Sequence, residues 1–499
     1  MKRTLLRALC LLGATILSAS CSKSDPDIVV TGVSLDHASL ILAEEETATL
    51  TATVKPADAA NLEVTWRTQD ATIAVVDRTG LVTAVKAGET FVIVTTVDGG
   101  KTATCKLTVT PKYVSVSGVT LNKTTLTVEV GHEETLTATV TPSDATNQKV
   151  KWSTGDATIA TVDEESGVVK GIAEGKVTIT ATSEDGSKTA TCEVTVDKDI
   201  TASFDAGFAR ALQTKGYVKD ATKIMKSEVQ AVTVLNVAGC SLTSLEGIEN
   251  FVNIEKLQCY NNLIYPSIDL RQNTKLVYLY AEENRLVNVY VGTNAKLKYL
   301  DVSENQLVAL NVRNNPELQW LYTEENNLST LDVTKNTKLQ YLDIAANDLT
   351  AIDLSKNTEL VFLHAFNNEF TSIDLTHNSK VQILYLSNGF LSSIDITHCT
   401  ELLDFRVNGN RISTIDLSKN TKLRTLYVSD NEFTSLDISN NTQLNYLITT
   451  RNQGNADGMF VVTVWKGFVL PSLFNCPEGT TWQHDGKTVT ITYKEKGTV

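Results

Sequence analysis

LQYLDIAANDLTAIDLSKNTE, residues 339–359, decides the fold, because the chain keeps returning to its pattern. Leu276, Leu297, Leu318, Leu339, Leu360, Val381, Leu402, Leu423 and Leu444 fall 21 residues apart, after two units of 22 that start at Val232 and Ile254. A fixed period of this length marks stacked coils, none of which can bury a core without its neighbours. Three and five residues past each lead, side chains such as Leu342 and Ile344 are expected to point into the coil. Eight past it come Asn284, Asn305, Asn326, Asn347, Asn368, Asn410 and Asn431. Their amides can bond the backbone groups that a buried turn leaves open. The second half of each unit repeats the arrangement, with Ile352 and Leu354 inward and a second asparagine in N-T. Cys240 and Cys399 stand at asparagine positions, which makes them members of these rows and not catalytic thiols.

The first unit, VTVLNVAGCSL from Val232, resembles the leucine-rich-repeat pattern in which Asn or Cys closes the strand. The short 21-residue unit is similar to internalin-type repeats and to repeat proteins of Bacteroides-like bacteria. The resemblance implies a solenoid over 232–447. Ahead of it, FDAGFARALQTKG (204–216) carries Phe204, Phe208 and Leu212 at helical spacing and stops at Gly216. A second short helix is expected in MKSEVQAV, so 200–231 reads as a helical cap over the first coil. After about residue 448 the period fails. VVTVWKGFVLP and KTVTITYKEK then read as strands of a closing cap over 448–499.

A second self-similarity lies upstream. VTGVSLDHASLIL (30–42) aligns with VSGVTLNKTTLTV from Val116, and Pro56, Trp66 and DATIAVVD align with Pro142, Trp152 and DATIATVD, all at an offset of 86. After one inserted residue, Gly80, Gly88 and TATCKLTV match Gly167, Gly175 and TATCEVTV at an offset of 87. Alternating Thr- and Val-rich stretches such as Ala48–Val54, Leu62–Arg67, Thr90–Thr96 and Ala103–Thr110 read as a β-sandwich of roughly seven strands per unit. The single tryptophan of each is the expected plug between sheets. The pattern resembles the bacterial Ig-like group 2 family, which implies spacer or adhesive modules over 30–111 and 115–197 and no catalytic residue. The fold class is thus mainly β: two Ig-like sandwiches, then a leucine-rich-repeat solenoid with a small helical N-cap and a β C-cap.

Residues 1–20 have the form of an export signal: Lys2, Arg3 and Arg7, then the apolar run Leu9–Leu17, too short to span a bilayer. Leu-Ser-Ala-Ser-Cys resembles a bacterial lipoprotein cleavage box, which implies acylation at Cys21 and a polar tether over 21–29. The expected location is the outer membrane or cell surface, held by the lipid alone. A net charge of −14 with no basic run beyond Arg7 excludes a nucleic-acid partner. Apart from Cys10 in the signal segment and Cys21, the six remaining cysteines show no CxxC pair, and the six histidines are scattered. HExxH, GxSxG, P-loop and dinucleotide fingerprints are absent. YVKDATKIMKSE (217–228) lacks the oxygen ligands of a calcium loop. No enzyme, cofactor or metal is expected.

Strand alternation turns residues two, four and six past each lead outward. Those positions hold Tyr278, Tyr280, Tyr299, Trp320, Tyr322, Tyr341, Phe362, His364, Phe366 and Tyr385, with Glu282, Glu283, Glu304, Glu324 and Glu325 as an acidic border. An exposed aromatic ridge of this size marks an interaction face, here expected to be concave. A host or bacterial protein is the expected partner and a stacked glycan the alternative. A second row, Asp332, Asp353, Asp374, Asp395, Asp416 and Asp437, each with Ser or Thr two residues on, reads as turn chemistry on the other face.

Overall fold

The computed structural model describes residues 28–497. The signal segment, Cys21 and most of the tether lie outside the described residues. The chain is mainly β, with 33% strand and 4% helix.

Each upstream unit forms nine strands, more than the seven expected, and one of its alternating stretches is broken in two. Ala48–Val54 divides into Thr47–Thr49 and Ala52–Lys55. Between them Leu50 is buried and its N–H donates to Gly80 O. In the first unit Ser39–Ala43 pairs in parallel with Lys106–Thr110, and the sheet continues through Gly88–Thr96 to Val64–Thr68. The second repeats this order over Thr125–Glu129, Thr189–Asp197, Gly175–Ser183 and Val150–Thr154. Trp152 is buried, whereas Trp66 is half-buried at the edge of its core. Both tryptophans require a glycine opposite. Gly80 and Gly167 hold φ +86° and +73°, and a Cβ there would meet the indole at 2.9 and 2.7 Å.

Phe208, Ala209 and Leu212 turn the buried face of helix Ala206–Thr214 onto the first coil. Asp205 caps it, accepting from the N–H groups of Gly207 and Phe208 at 2.8 and 2.9 Å. Gly216 ends it at φ +78°. The second helix, Lys226–Gln230, also joins the solenoid to the sandwich before it. Asp197 accepts from Ser227 N–H (3.1 Å) and from its hydroxyl, while Lys226 pairs with Glu174 (2.6 Å) and Lys223 with Glu129 (2.8 Å).

The coils then build a parallel sheet of eleven three-residue strands, from Val234–Asn236 to Tyr446–Ile448. One continuous core runs beneath it from Phe208 to Ile491. Asn326 illustrates the inner ladder. Its Nδ2 donates to Val302 O (3.0 Å) and Thr323 O (3.1 Å), while its Oδ1 accepts from Leu307 N–H (2.9 Å). In the second ladder, Asn336 and Asn357 donate to two carbonyls each but leave Oδ1 unpaired. Cys399 replaces an asparagine there, and its thiol lies 3.8 Å from Asn378 O. Among the described residues the six cysteines are free, and all but Cys240 are buried. The second halves are less strand-like than their sequence suggests. Besides Ser267–Asp269 with Asn288–Tyr290, only Ser435–Asp437 pairs, and it does so with the cap strand Met459–Val464. The cap adds Lys487–Glu495 and the unanticipated Thr481–His484.

Candidate binding face

The parallel register sets each outward residue beside its counterpart one coil on: Tyr278, Tyr299, Trp320, Tyr341, Phe362 and Ile383 form one line. Tyr280, Asp301, Tyr322, Asp343, His364 and Tyr385 form the next. The rings touch. Tyr280 stacks on Tyr299 at 4.6 Å, Trp320 on Tyr341 and Tyr341 on Phe362 at 6.1 Å each, and His364 on Phe366 at 4.6 Å. Tyr385 meets His364 edge-on at 5.5 Å.

This self-stacking leaves the ridge partly exposed. Tyr278 is 38% exposed and the other nine ridge residues are half-buried. Each ring covers part of its neighbour, a contact worth about 0.5–1.5 kcal/mol per pair beyond its area. The stack also runs past Tyr385. Arg406 is held by Asp404 in a two-point pair and lies over Tyr385 (4.3 Å) and Tyr427 (4.7 Å), and Tyr427 stacks on Tyr446 (5.3 Å). Alternation had placed these residues on the same face; the break at Ile383 and Asp404 hid their continuity with the ridge.

The five glutamates separate into two groups. Glu283, Glu304 and Glu325 are exposed, each at a positive φ of 52–54° in the turn that leaves the strand. Glu282 and Glu324 lie half-buried on the face itself. Burial pushes Glu282 up to about 7, with Asp301 and Glu283 adding repulsion. Its Oε2 has no hydrogen-bond partner among the described residues. Burial likewise raises Asp301 and Glu324 above the ordinary carboxylate range. The phenols of Tyr299, Tyr322 and Tyr385 are raised by desolvation and by adjacent carboxylates. Asp343, buried beneath the row, accepts from Ala345 N–H (3.1 Å) and meets His364 Nδ1 at 2.8 Å.

The aspartates of the second halves behave otherwise. Asp332 accepts from Thr334 hydroxyl (2.7 Å) and N–H (2.9 Å), and Asp395 does the same with Thr397 (2.6 and 2.9 Å). These bonds lower both carboxyls, as a local turn requires.

Residues 29–107 and 115–194 match the bacterial Ig-like domain (group 2) family, and residues 419–439 match the Leucine Rich repeat family. An Ig-like virion protein of Serratia phage KSP90 is 43% identical over 150 residues, which cover 30% of this chain and 58% of that protein. An alpha-L-arabinofuranosidase of Bifidobacterium longum is 30% identical over 206 residues, covering 36% of this chain and 19% of the enzyme. The chain therefore spans less than two thirds of either relative. Among solved structures, the functional domain of InlJ from Listeria monocytogenes aligns at 30% identity and a TM-score of 0.42, over 51% of this chain and 61% of that one. This domain content is typical of non-enzymatic binding proteins, although Ig-like parts also occur in glycosidases. Among the described residues no helix is long and apolar enough to cross a membrane. The chain carries two bacterial Ig-like group 2 domains followed by a leucine-rich-repeat solenoid.

Proposed function

We propose that this chain is a cell-surface adhesion lipoprotein, acylated at Cys21 in the outer membrane, that captures a protein partner on the strand face between Tyr278 and Tyr385. The Ig-like modules, 30–111 and 115–197, serve as its stalk. The solenoid over 232–447, closed by 200–231 and 448–499, carries the recognition face. The observation that carries this reading is the aromatic row with the half-buried Glu282 set into it, whose Oε2 has no partner among the described residues. Large rigid rings supply contact area at low entropy cost, and the glutamate border supplies steering. The tilt between Trp320 and Tyr341 is 21° and between Tyr341 and Phe362 29°. Their faces are therefore spent on one another, which favours a protein over a sugar needing an open stacking platform.

The test is the triple substitution Trp320→Ala, Tyr322→Ala and Tyr341→Ala in the full chain. Captured partners, identified by cross-linking on intact cells, should fall at least about 100-fold, since hot-spot residues contribute about 2 kcal/mol or more each. The circular-dichroism spectrum should be kept. Equal capture by the variant overturns the reading, and release of the partner by free sugars replaces it with glycan capture. Protease shaving of intact cells should remove the chain from the outer surface.

A further inference from the structure

Three residues from three successive coils converge near the middle of the strand face. Asp343 and His364 are ladder partners in adjacent strands. Glu324 follows two residues after Tyr322, the ladder partner of Asp343 on its other side. A carboxylate oxygen from each acid and a ring nitrogen of His364 all lie within 4.8 Å of one another.

Their surroundings are as telling as their distances. The imidazole is fixed on three sides, stacked on Phe366 at 4.6 Å and met edge-on by Tyr385 at 5.5 Å and Phe362 at 6.0 Å. Its Nδ1 is thereby aimed at Asp343 Oδ2, 2.8 Å away. The Asp343 side chain is only 9% exposed. Glu324 is half-buried, and its side chain makes no hydrogen bond or ion pair among the described residues. Asp301 and Glu282 crowd the same row, and no lysine or arginine pairs with any of these carboxylates among the described residues. Carboxylates have been collected in a partly desolvated place, with one imidazole in contact with them. Such groups are held at a cost unless a cation joins them.

We propose that Glu324, Asp343 and His364 form a binding site for a divalent transition-metal ion of the zinc class, open on its outer side to a further donor. One imidazole with two carboxylates suits zinc, whereas calcium and magnesium take oxygen ligands. A tetrahedral ion of this class sets its donors roughly 3.4 Å apart, so a cluster whose donor atoms lie within 4.8 Å closes on it by side-chain rotation of the two acids. To take the ion, the Asp343 carboxylate swings back so that the 2.8 Å gap between Nδ1 and Oδ2 opens to roughly 3.4 Å, and the proton held in that contact passes to solvent. Phe366 keeps the ring in place for this exchange. The site is independent of which partner the face takes, and its vacant position is suited to a carboxylate or imidazole from one.

The experiment is calorimetric titration of Zn2+ into the metal-stripped full chain. One equivalent is expected to bind. His364→Ala and Glu324→Gln should each weaken that event at least tenfold; the second removes no hydrogen bond and leaves the fold intact. The double variant His377→Ala/His398→Ala, which removes the exposed histidines of the second-half turns, should bind as the unmodified chain does. Absence of a one-to-one event, its persistence unchanged in both cluster variants, or its loss only in the histidine double variant overturns the proposal.

Discussion

The solenoid carries two rows of carboxylates, and their environments shift them in opposite directions. In the second halves, an aspartate recurs in every coil from Asp332 to Asp416, each held below its ordinary range by the Ser or Thr two residues on. On the strand face the acids are irregular. Glu282, Asp301 and Glu324 are raised by burial, and the Oε2 of Glu282 has no hydrogen-bond partner among the described residues. A turn that every coil needs is served by the same residue every time. A recognition site needs unlike neighbours, so it interrupts the period. The difference teaches that regular acids build this fold, while irregular ones are left for something else.

Replacing one member of each row is the strongest way to break that comparison. Asp343→Ala leaves the Ala345 N–H and the His364 ring without their acceptor in a buried place. Such a loss costs about 2 kcal/mol, part of it offset by relieved repulsion with Asp301. Asp353→Ala loses one turn bond at the surface, and its effect in urea unfolding should be a small fraction of the other. Equal effects would erase the distinction between the rows.

The pH dependence should run in opposite directions as well. Glu282 is raised in the folded chain, so between its ordinary range near 4.5 and about 7 the folded state holds more protons than the unfolded. Stability from this group falls as pH rises through that window. Glu282→Gln should therefore stabilise the chain at pH 7.5, by roughly 1 kcal/mol after allowance for its half-exposed position, and leave it unchanged at pH 4.5. The turn aspartates have lowered values. Their contribution is present above their ordinary range near 3.8 and is lost as pH falls through the lower folded value. Urea midpoints of the unmodified chain and of Glu282→Gln across pH 3 to 8 measure both.

What the sequence disclosed follows the same division. The period placed Leu342, Ile344 and the asparagine rows, because each coil repeats one solution to burying a backbone turn. It also placed the outward aromatics, since alternation fixes which side a strand residue takes. It did not disclose that the rings shield one another, because ring tilt depends on neighbours in three coils. The sequence placed Glu324 and His364 on this face, but did not disclose their meeting with Asp343, for a related reason. Their separations of 19 and 21 residues correspond to no ligand motif, and only the register of parallel strands brings them together. Nor does local patterning reveal the Asp197–Ser227 joint, in which a sandwich strand and a cap helix meet across 30 residues. The division of Ala48–Val54 was hidden because alternation continues through a break at which Leu50 turns inward.

The smallest expected effect separates the two kinds of acid within a single turn. Glu283, Glu304 and Glu325 adopt left-handed φ, a region that asparagine and glycine occupy more cheaply than glutamate. The equivalent turn uses them in three later coils, at Asn367, Asn388 and Gly409, while Ala346, Asp430 and Arg451 hold it in the others. Folding alone would therefore be better served by the cheaper residue in the earlier coils too. Three consecutive glutamates at a strained position make sense if their charge borders the recognition face. Glu325→Asn should raise stability by about 0.5 kcal/mol, through relief of the left-handed strain. It should also slow partner association more at low salt than at high, because a rim charge acts through steering that ions screen. Thermal melts and association rates at two ionic strengths measure the two halves separately. A variant that gains stability and associates as fast as the unmodified chain would leave Glu325 as strain without a purpose, and would remove the acidic border from the proposed face.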